Sequence, residues 1–231
     1  MRRTKINHLK TETIGQQVTV CGWIRTLREQ KTFTFIEIND GSSLKNLQII
    51  LDSTMPDYAN LLNLLGTGSS VSVTGLLVPS VGNKQPFEVK ASRISVYGTC
   101  PAEEYPLQKK RHSFEFLRTI AHLRPRTNTQ GAVLRVRSAL AHATHLFFQQ
   151  RGFLYVHTPI ITASDAEGGG QQFTVTTMDL RKPHVDPLGN VDFSKDFFGK
   201  QAYLTVSGQL NGETLACAMS DIYTFGPTFR A

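Results

Sequence analysis

The sequence predicts an α+β chain in which an all-β part comes first and a region of helices and short strands follows. Three observations predict it. Apolar residues alternate with a period of two through residues 16–97. After residue 128 they recur at steps of three and four. A stretch rich in proline and charge separates the two patterns.

The β elements follow one another in order. "QVTVCGWI" alternates, with Val18 and Val20 on one face. "FTFIEIND" comes after a polar loop and ends at the turn residues Asn39, Asp40 and Gly41. "NLQIIL" alternates around Leu47, Ile49 and Leu51, and "SVSVTGLLV" and "FEVKASRISVY" complete the set. Between the third and fourth strands, "DYANLLNLL" (57–65) spaces Leu61, Leu62 and Leu65 as a helix does. Five strands with one helix in that position describe a small closed barrel, the OB arrangement. In the second strand Phe33, Phe35 and Glu37 share one face, and Ile36 and Ile38 share the other. The isoleucines belong inside, which leaves Phe35 outside, either as a barrel aromatic covered by a loop or as a stacking platform for an unpaired base.

"GTCPAEEYPLQKKRHS" (98–113) reads as a linker. "FEFLRTIAHL" is a short helix stopped by "RPRT", because the residue before Pro125 is pushed out of helical space. Asn128 and Thr129 are candidate caps for a long amphipathic helix whose apolar face is Val133, Val136, Leu140, Ala143 and Phe147, and Gly152 ends it. "FLYVHTPII" is a strand interrupted by Pro159. At the other end, Ile222, Tyr223, Phe225 and Phe229 read as a half-buried strand broken by Gly226 and Pro227. The domains are 1–100 (barrel), 101–128 (hinge or linker) and 129–231.

Composition narrows the function. The 231 residues suffice for one large domain or two ordinary ones, and 40% hydrophobic with 19% charged residues describes a globular chain. No apolar run approaches the roughly 18 residues of a membrane span, so no membrane partner is expected. The basic start, "MRRTKINHLKTETIGQQ", has no apolar stretch of the kind a secretory signal needs. Cys21, Cys100 and Cys217 are far apart and odd in number, which points to reduced thiols and a cytoplasmic setting. Lys and Arg outnumber Asp and Glu 25 to 18, a formal +7, which favours a polyanionic partner such as nucleic acid. His142 and His145 are three apart in the long helix, but no third ligand is placed beside them, so no metal site is read.

The motifs carry a resemblance. A long helix, then "GFLYVHTPII" with Pro159, resembles motif 1 of the class II aminoacyl-tRNA synthetases; "TFRA" with Arg230 resembles the start of motif 2. The barrel ahead of these motifs narrows the likeness to the aspartate, asparagine and lysine subgroup. "HLRPRT", "ASDAEGGGQQF", "DFFGKQAYLTVSGQLNGE" and "YTFGPTFRA" resemble its bacterial asparagine branch. The resemblance implies a barrel followed by the first part of the class II antiparallel sheet with flanking helices, which is the α+β class already expected.

It also implies roles. Arg230 is the catalytic and ATP-binding residue, meeting the α-phosphate and the amino-acid carboxylate; a planar guanidinium suits both. Glu167, in a glycine-rich lid, meets the substrate α-ammonium. Ser207 and Gln209 line the amino-acid pocket on a strand that turns at Asn211 and Gly212, with Glu213 accepting from the substrate amide. Aspartate enzymes carry a lysine where this chain has Gly212, which favours asparagine, although Lys195 and Lys200 lie nearby in sequence. Phe35 stacks on the central anticodon base, and Arg28, Gln48 and Glu88 touch neighbouring bases. Pro159 belongs to a homodimer interface. The implied partners are tRNA(Asn), asparagine and ATP, with Mg²⁺ as cofactor held by ligands outside this chain. Motif 3 is not in the sequence, so the resemblance covers an amino-terminal portion ending inside motif 2, expected to be inactive alone. The rival readings are an aspartate or non-discriminating aspartate enzyme, a non-catalytic tRNA-binding module, and an ammonia-dependent asparagine synthetase, for which a barrel has no use.

Overall fold

A computed structural model describes residues 3–82, 85–164 and 171–231. The chain divides into two compact units, Met1–Arg135 and Val136–Ala231.

The first unit is built on β1 (Gln17–Glu29), β2 (Phe33–Asn39), β3 (Leu47–Asp52), α1 (Tyr58–Leu64), β4 (Ser70–Pro79) and β5 (Phe87–Gly98). The strands close into the expected barrel, in the order β1-β2-β3-β5-β4. Neighbours are antiparallel except for β3 and β5. Alternation becomes burial: Val20, Ile36, Ile38, Ile49, Leu51, Val73, Leu77 and Val89 are each at most 1% exposed. Each such side chain contributes about 1.5–3 kcal/mol. Gly75 marks a register break between β4 and β5, and a Cβ there would lie 2.2 Å from the Lys90 carbonyl oxygen. Only glycine lets the two strands close. Leu61, Leu62 and Leu65 of the α1 segment pack on this core, and the Tyr58 hydroxyl lies 2.6 Å from Thr34 Oγ1.

Past the barrel, Tyr105 is buried, against Gly68. The short helix is α2 (Phe114–Thr119), capped by Ser113 Oγ, which accepts the Phe116 N–H at 3.2 Å. A 3₁₀ turn, Arg124–Arg126, precedes α3 (Asn128–Gln149). The expected caps, Asn128 and Thr129, already lie inside the helix. Thr127 takes the capping place: its Oγ1 accepts from the Gln130 N–H at 3.4 Å and its carbonyl from Gly131 at 2.8 Å. The predicted apolar face also differs from expectation. Val133, Val136, Leu140 and Phe147 are exposed, and Gly131 is the buried residue of α3. Helical period identifies an apolar stripe that stays largely exposed, with Arg151 lying over the Phe147 ring.

In the second unit α3 ends where predicted. Gly152 takes φ +83°, its N–H donates to Gln149 O, and the Phe153 N–H donates to Phe148 O. This is a Schellman motif, completed by the Phe148 and Phe153 rings at 5.4 Å. Short strands follow: β6 (Leu154–Tyr155), β7 (Ile161–Thr162), β8 (Thr174–Val175) and β9 (Ala202–Leu204), then α4 (Gln209–Met219) and β10 (Ile222–Tyr223). β7, β9 and β8 form an antiparallel sheet in that order, and β10 pairs with β6 in parallel. The strand read from Ile222 to Phe229 is only two residues long. Beyond it Phe229 donates to Thr205 O at 2.8 Å, so the segment leaves β6 after Gly226 and Pro227. Among the described residues no helix is long and apolar enough to cross a membrane.

Candidate functional site

The outer barrel face gathers the residues that sequence assigned to anticodon contact. Arg28 on β1 stands opposite Phe35 on β2, and its guanidinium lies 5.1 Å from the ring centroid. Phe33 meets the same ring edge-on at 4.8 Å. One side of the Phe35 ring is therefore fixed by a cation and an aromatic edge. Two residues along β2, Glu37 pairs across to Gln48 on β3. The Gln48 Nε2 donates at 2.7 Å to Glu88 on β5. Phe35, Arg28, Gln48 and Glu88 thus share one face of four neighbouring strands.

Glu88 departs from expectation. It is 3% exposed, and one of its oxygens also accepts from Ser80 Oγ at 3.2 Å and Gln85 Nε2 at 3.3 Å. Three donors satisfy a buried carboxylate. In this conformation it holds Gln48 rather than facing outward to a base. Sequence reasoning also missed a cleft of about 1030 Å³ in the first unit, lined by Arg25, Lys109, Lys110, Arg111, His112 and Arg126 among others. The run "KKRH" was its only signal.

The second unit holds the residues assigned to amino-acid activation. Gln209 opens α4 and Glu213 follows one turn later, so neither lies on the expected strand. Gln209 Nε2 donates to Glu213 Oε1 at 3.2 Å, an i,i+4 pair. Ser207 lies just ahead, and its Oγ accepts the Gln209 N–H at 3.0 Å. Asn211 and Gly212, expected to turn, are helical. Gly212 is buried where α4 packs on β10, and a Cβ there would meet Ile222 at 3.7 Å and Thr224 at 3.9 Å, ordinary contact distances. Arg230 is exposed and sits between two backbone anchors, Phe229 N–H to Thr205 O at 2.8 Å and Ala231 N–H to Gln171 O at 3.1 Å. This brings Arg230 beside the Thr205–Ser207 segment. Pro159 is exposed between β6 and β7. Glu167 lies outside the described residues. A cavity of about 30 Å³ near His157, Thr158, Thr205 and Gly208 has room for a water molecule, not an amino acid.

His145 is packed and satisfied: Nδ1 lies 2.7 Å from the Tyr223 hydroxyl, between the rings of Tyr155 at 4.9 Å and Phe225 at 5.0 Å. Asp196 binds a turn together. Its carboxylate is held well below the usual range by the Thr176 hydroxyl first, then by the Thr177 N–H and hydroxyl and the Phe197 N–H.

The first unit is a five-stranded barrel presenting an aromatic platform, and the second is a helix–strand unit that carries the backbone-anchored Arg230. The family comparison identifies both units. Residues 113–231 match the family of class II tRNA synthetases (D, K and N), and 18–97 match the OB-fold nucleic acid binding domain. The chain belongs to the class II tRNA synthetases of the D, K and N group. Within that group it is similar to the asparagine–tRNA ligase of Protochlamydia amoebophila, 62% identical over 99% of this chain and 50% of the relative. It is 63% identical to that of Microcystis aeruginosa over 99% of this chain and 49% of the relative. The chain therefore spans about half the length of these relatives. The asparaginyl-tRNA synthetase of Pyrococcus horikoshii, solved with asparaginyl-adenylate, shares the fold with a TM-score of 0.83 at 24% identity over 100% of this chain and 49% of that one.

Proposed function

We propose that the chain supplies the anticodon-reading part and the first portion of the catalytic part of an asparagine–tRNA ligase. Residues 1–100 read the anticodon of tRNA(Asn), 101–128 act as a hinge, and 129–231 begin the catalytic domain. The observation that carries the reading is the outward Phe35 ring, backed by Arg28 and Phe33 and flanked by the Glu37–Gln48–Glu88 row. A π-face supported from the side accepts a stacked base. Identity above 60% to asparagine–tRNA ligases across this chain supports asparagine as the amino acid.

The parent reaction has two steps. An oxygen of the asparagine carboxylate attacks the α-phosphorus of ATP; that bond forms as the bond to pyrophosphate breaks. A terminal ribose hydroxyl of the tRNA then attacks the activated carbonyl, and AMP leaves. Arg230 neutralises charge growing on the α-phosphate. Glu167 pairs with the α-ammonium. Ser207, Gln209 and Glu213 face the side-chain amide, with Glu213 as acceptor. Gln209 and Glu213 bond each other in the free chain, so substrate replaces one partner of that pair. Among the described residues no group of three His, Cys, Asp or Glu could hold a metal ion. The magnesium that accompanies ATP is assigned ligands elsewhere in the parent enzyme. α3 and Pro159 serve a homodimer in the cytoplasm, and the exposed α3 stripe supports that use.

Phe35→Ala tests the reading. It is expected to weaken tRNA(Asn) binding by about 1–3 kcal/mol while leaving adenylate formation by the full-length enzyme intact. Pyrophosphate exchange falling as far as tRNA charging would sink it.

A further inference from the structure

We infer that Arg135, on α3 and absent from the reading face, is a positioning residue for that face. The inference rests on the anticodon reading proposed above. Arg135 spreads its guanidinium between two carbonyls: Nη1 donates to Gly131 O at 3.0 Å and Nη2 to Gly41 O at 2.6 Å. Gly41 belongs to the loop between β2 and β3, which takes its shape largely from one side chain. Asn39 Oδ1 accepts the Gly41 N–H at 2.8 Å. Asn39 Nδ2 donates to Ser43 O at 3.1 Å, Lys45 O at 3.2 Å and Asn46 Oδ1 at 3.1 Å.

That last bond decides the orientation of Asn46. With its oxygen turned to Asn39, its Nδ2 must face the other way, and it donates to Glu37 Oε2 at 3.0 Å. Glu37 is on the Phe35 side of β2, opposite Gln48, and Asn46 leads directly into β3. A connected set of bonds therefore runs from the Arg135 guanidinium through Gly41, Asn39 and Asn46 to Glu37. Helix and loop also touch by packing. A Cβ on Gly131 would lie 3.6 Å from Leu44, an ordinary contact distance, so the loop reaches the first turns of α3.

The loop has other anchors: Asp40 accepts the Ile6 N–H at 2.9 Å, and Ser42 accepts that of Asn7 at 3.1 Å. These hold its outer turn. The Arg135 bond is made to the carbonyl of Gly41, whose own N–H is bound by Asn39. Release of that carbonyl frees the turn to tilt and lets the Asn46 amide rotate. Glu37 then loses its fixed donor. An arginine suits the task because its fork binds two carbonyls at once, which the point charge of lysine does not do in the same geometry.

The test measures binding of the 231-residue chain to an anticodon stem–loop RNA of tRNA(Asn) over a range of salt concentrations. Arg135→Ala and Arg135→Lys should each weaken binding about three- to tenfold. The slope of log Kd against log salt should stay unchanged, because no phosphate contact is lost. Discrimination against stem–loops with single replaced bases should narrow. Asn46→Ala should give the same pattern, and the double variant should be no weaker than the worse single one. Arg135→Lys keeps charge and helix propensity, so it carries the comparison if alanine loosens α3. Unchanged affinity and discrimination in both Arg135 variants, beside a weakened Phe35→Ala chain, overturns this inference alone. A slope reduced by about one means a direct phosphate contact and also overturns it. An undiminished Phe35→Ala chain removes the reading face and the inference with it.

Discussion

The barrel and the second unit differ in how they dispose of apolar surface. The barrel turns it inward: its strands run from six to thirteen residues, and its core is Ile6 to Ala91. The second unit has strands of two or three residues and buries few large apolar side chains, Val156 and Tyr223 among them. Leu140 at 62%, Phe197 at 76% and Leu188 at 87% remain exposed. The barrel is complete as a packing problem. The second unit holds its candidate site residues in place mainly through backbone anchors and helix ends, and its apolar stripes stay exposed. Self-sufficiency in burial and possession of the candidate activation residues are separate properties, and in this chain they lie in different units.

The largest effect that could break this contrast is catalysis itself. The 231-residue chain, freed of host enzyme, should show no measurable asparagine-dependent pyrophosphate exchange. Each missing electrostatic partner costs about 10²–10³ in rate, and several are needed together. Turnover near that of a full-length relative would mean that Arg230 and its present neighbours suffice. Next, Ile36→Ala should destabilise the barrel by about 2–5 kcal/mol, read as a lower midpoint in denaturant. An effect under about 1 kcal/mol would contradict a close-packed site for Ile36 in the barrel core.

A third test sharpens the comparison through acid. The Asp196 carboxyl is depressed in the folded chain below its ordinary 3.8. A depressed acid contributes stability that is fully present above pH 3.8 and is lost as pH falls below it toward the folded value. The second unit should therefore weaken progressively below that pH, and Asp196→Asn should lower its stability at neutral pH while flattening the acid response. An asparagine variant with the same acid profile as the parent chain would remove Asp196 as the cause. Smallest of all, in the dissociated chain at high dilution Leu140→Ala should change stability by no more than about 0.5 kcal/mol, because its side chain is exposed there. A loss above about 2 kcal/mol in thermal melting would show that the stripe is covered in solution.

Much of the barrel was legible because alternation in a strand is decided locally. Ile36 and Ile38 against Phe35 and Glu37 already state which face is dry. What covers the wet face was not legible. Glu88 is closed over by Gln48, Ser80 and Gln85, and that burial comes from pairing between distant segments. The start of α4 was misread for a related reason. Asn211 and Gly212 carry turn propensity, but the helix they lie in packs on Ile222 and Thr224, and a contact ten residues away leaves no local mark. The cap of α3 fell one residue short, at Thr127, among three consecutive polar residues that all qualify. In the candidate site, Arg230 and Phe35 were legible by type and motif, whereas the Arg135 bond to Gly41 spans 94 positions and has no pattern to announce it.

The parallel pairing of β3 with β5 closes the ring of five strands. A ring has no first strand to peel away. Amide protons in the long β1–β2, β1–β4 and β4–β5 ladders should therefore exchange slowly, near the rate of global unfolding, while the β3–β5 ladder, two pairs long, should open before them. The amides joining β6 and β10 sit in a ladder two residues long and can open locally. Deuterium labelling would then fill the second unit within the time the barrel remains almost unlabelled, and the boundary between fast and slow amides would fall along α3, whose first turns belong to the barrel's unit and whose last turns do not.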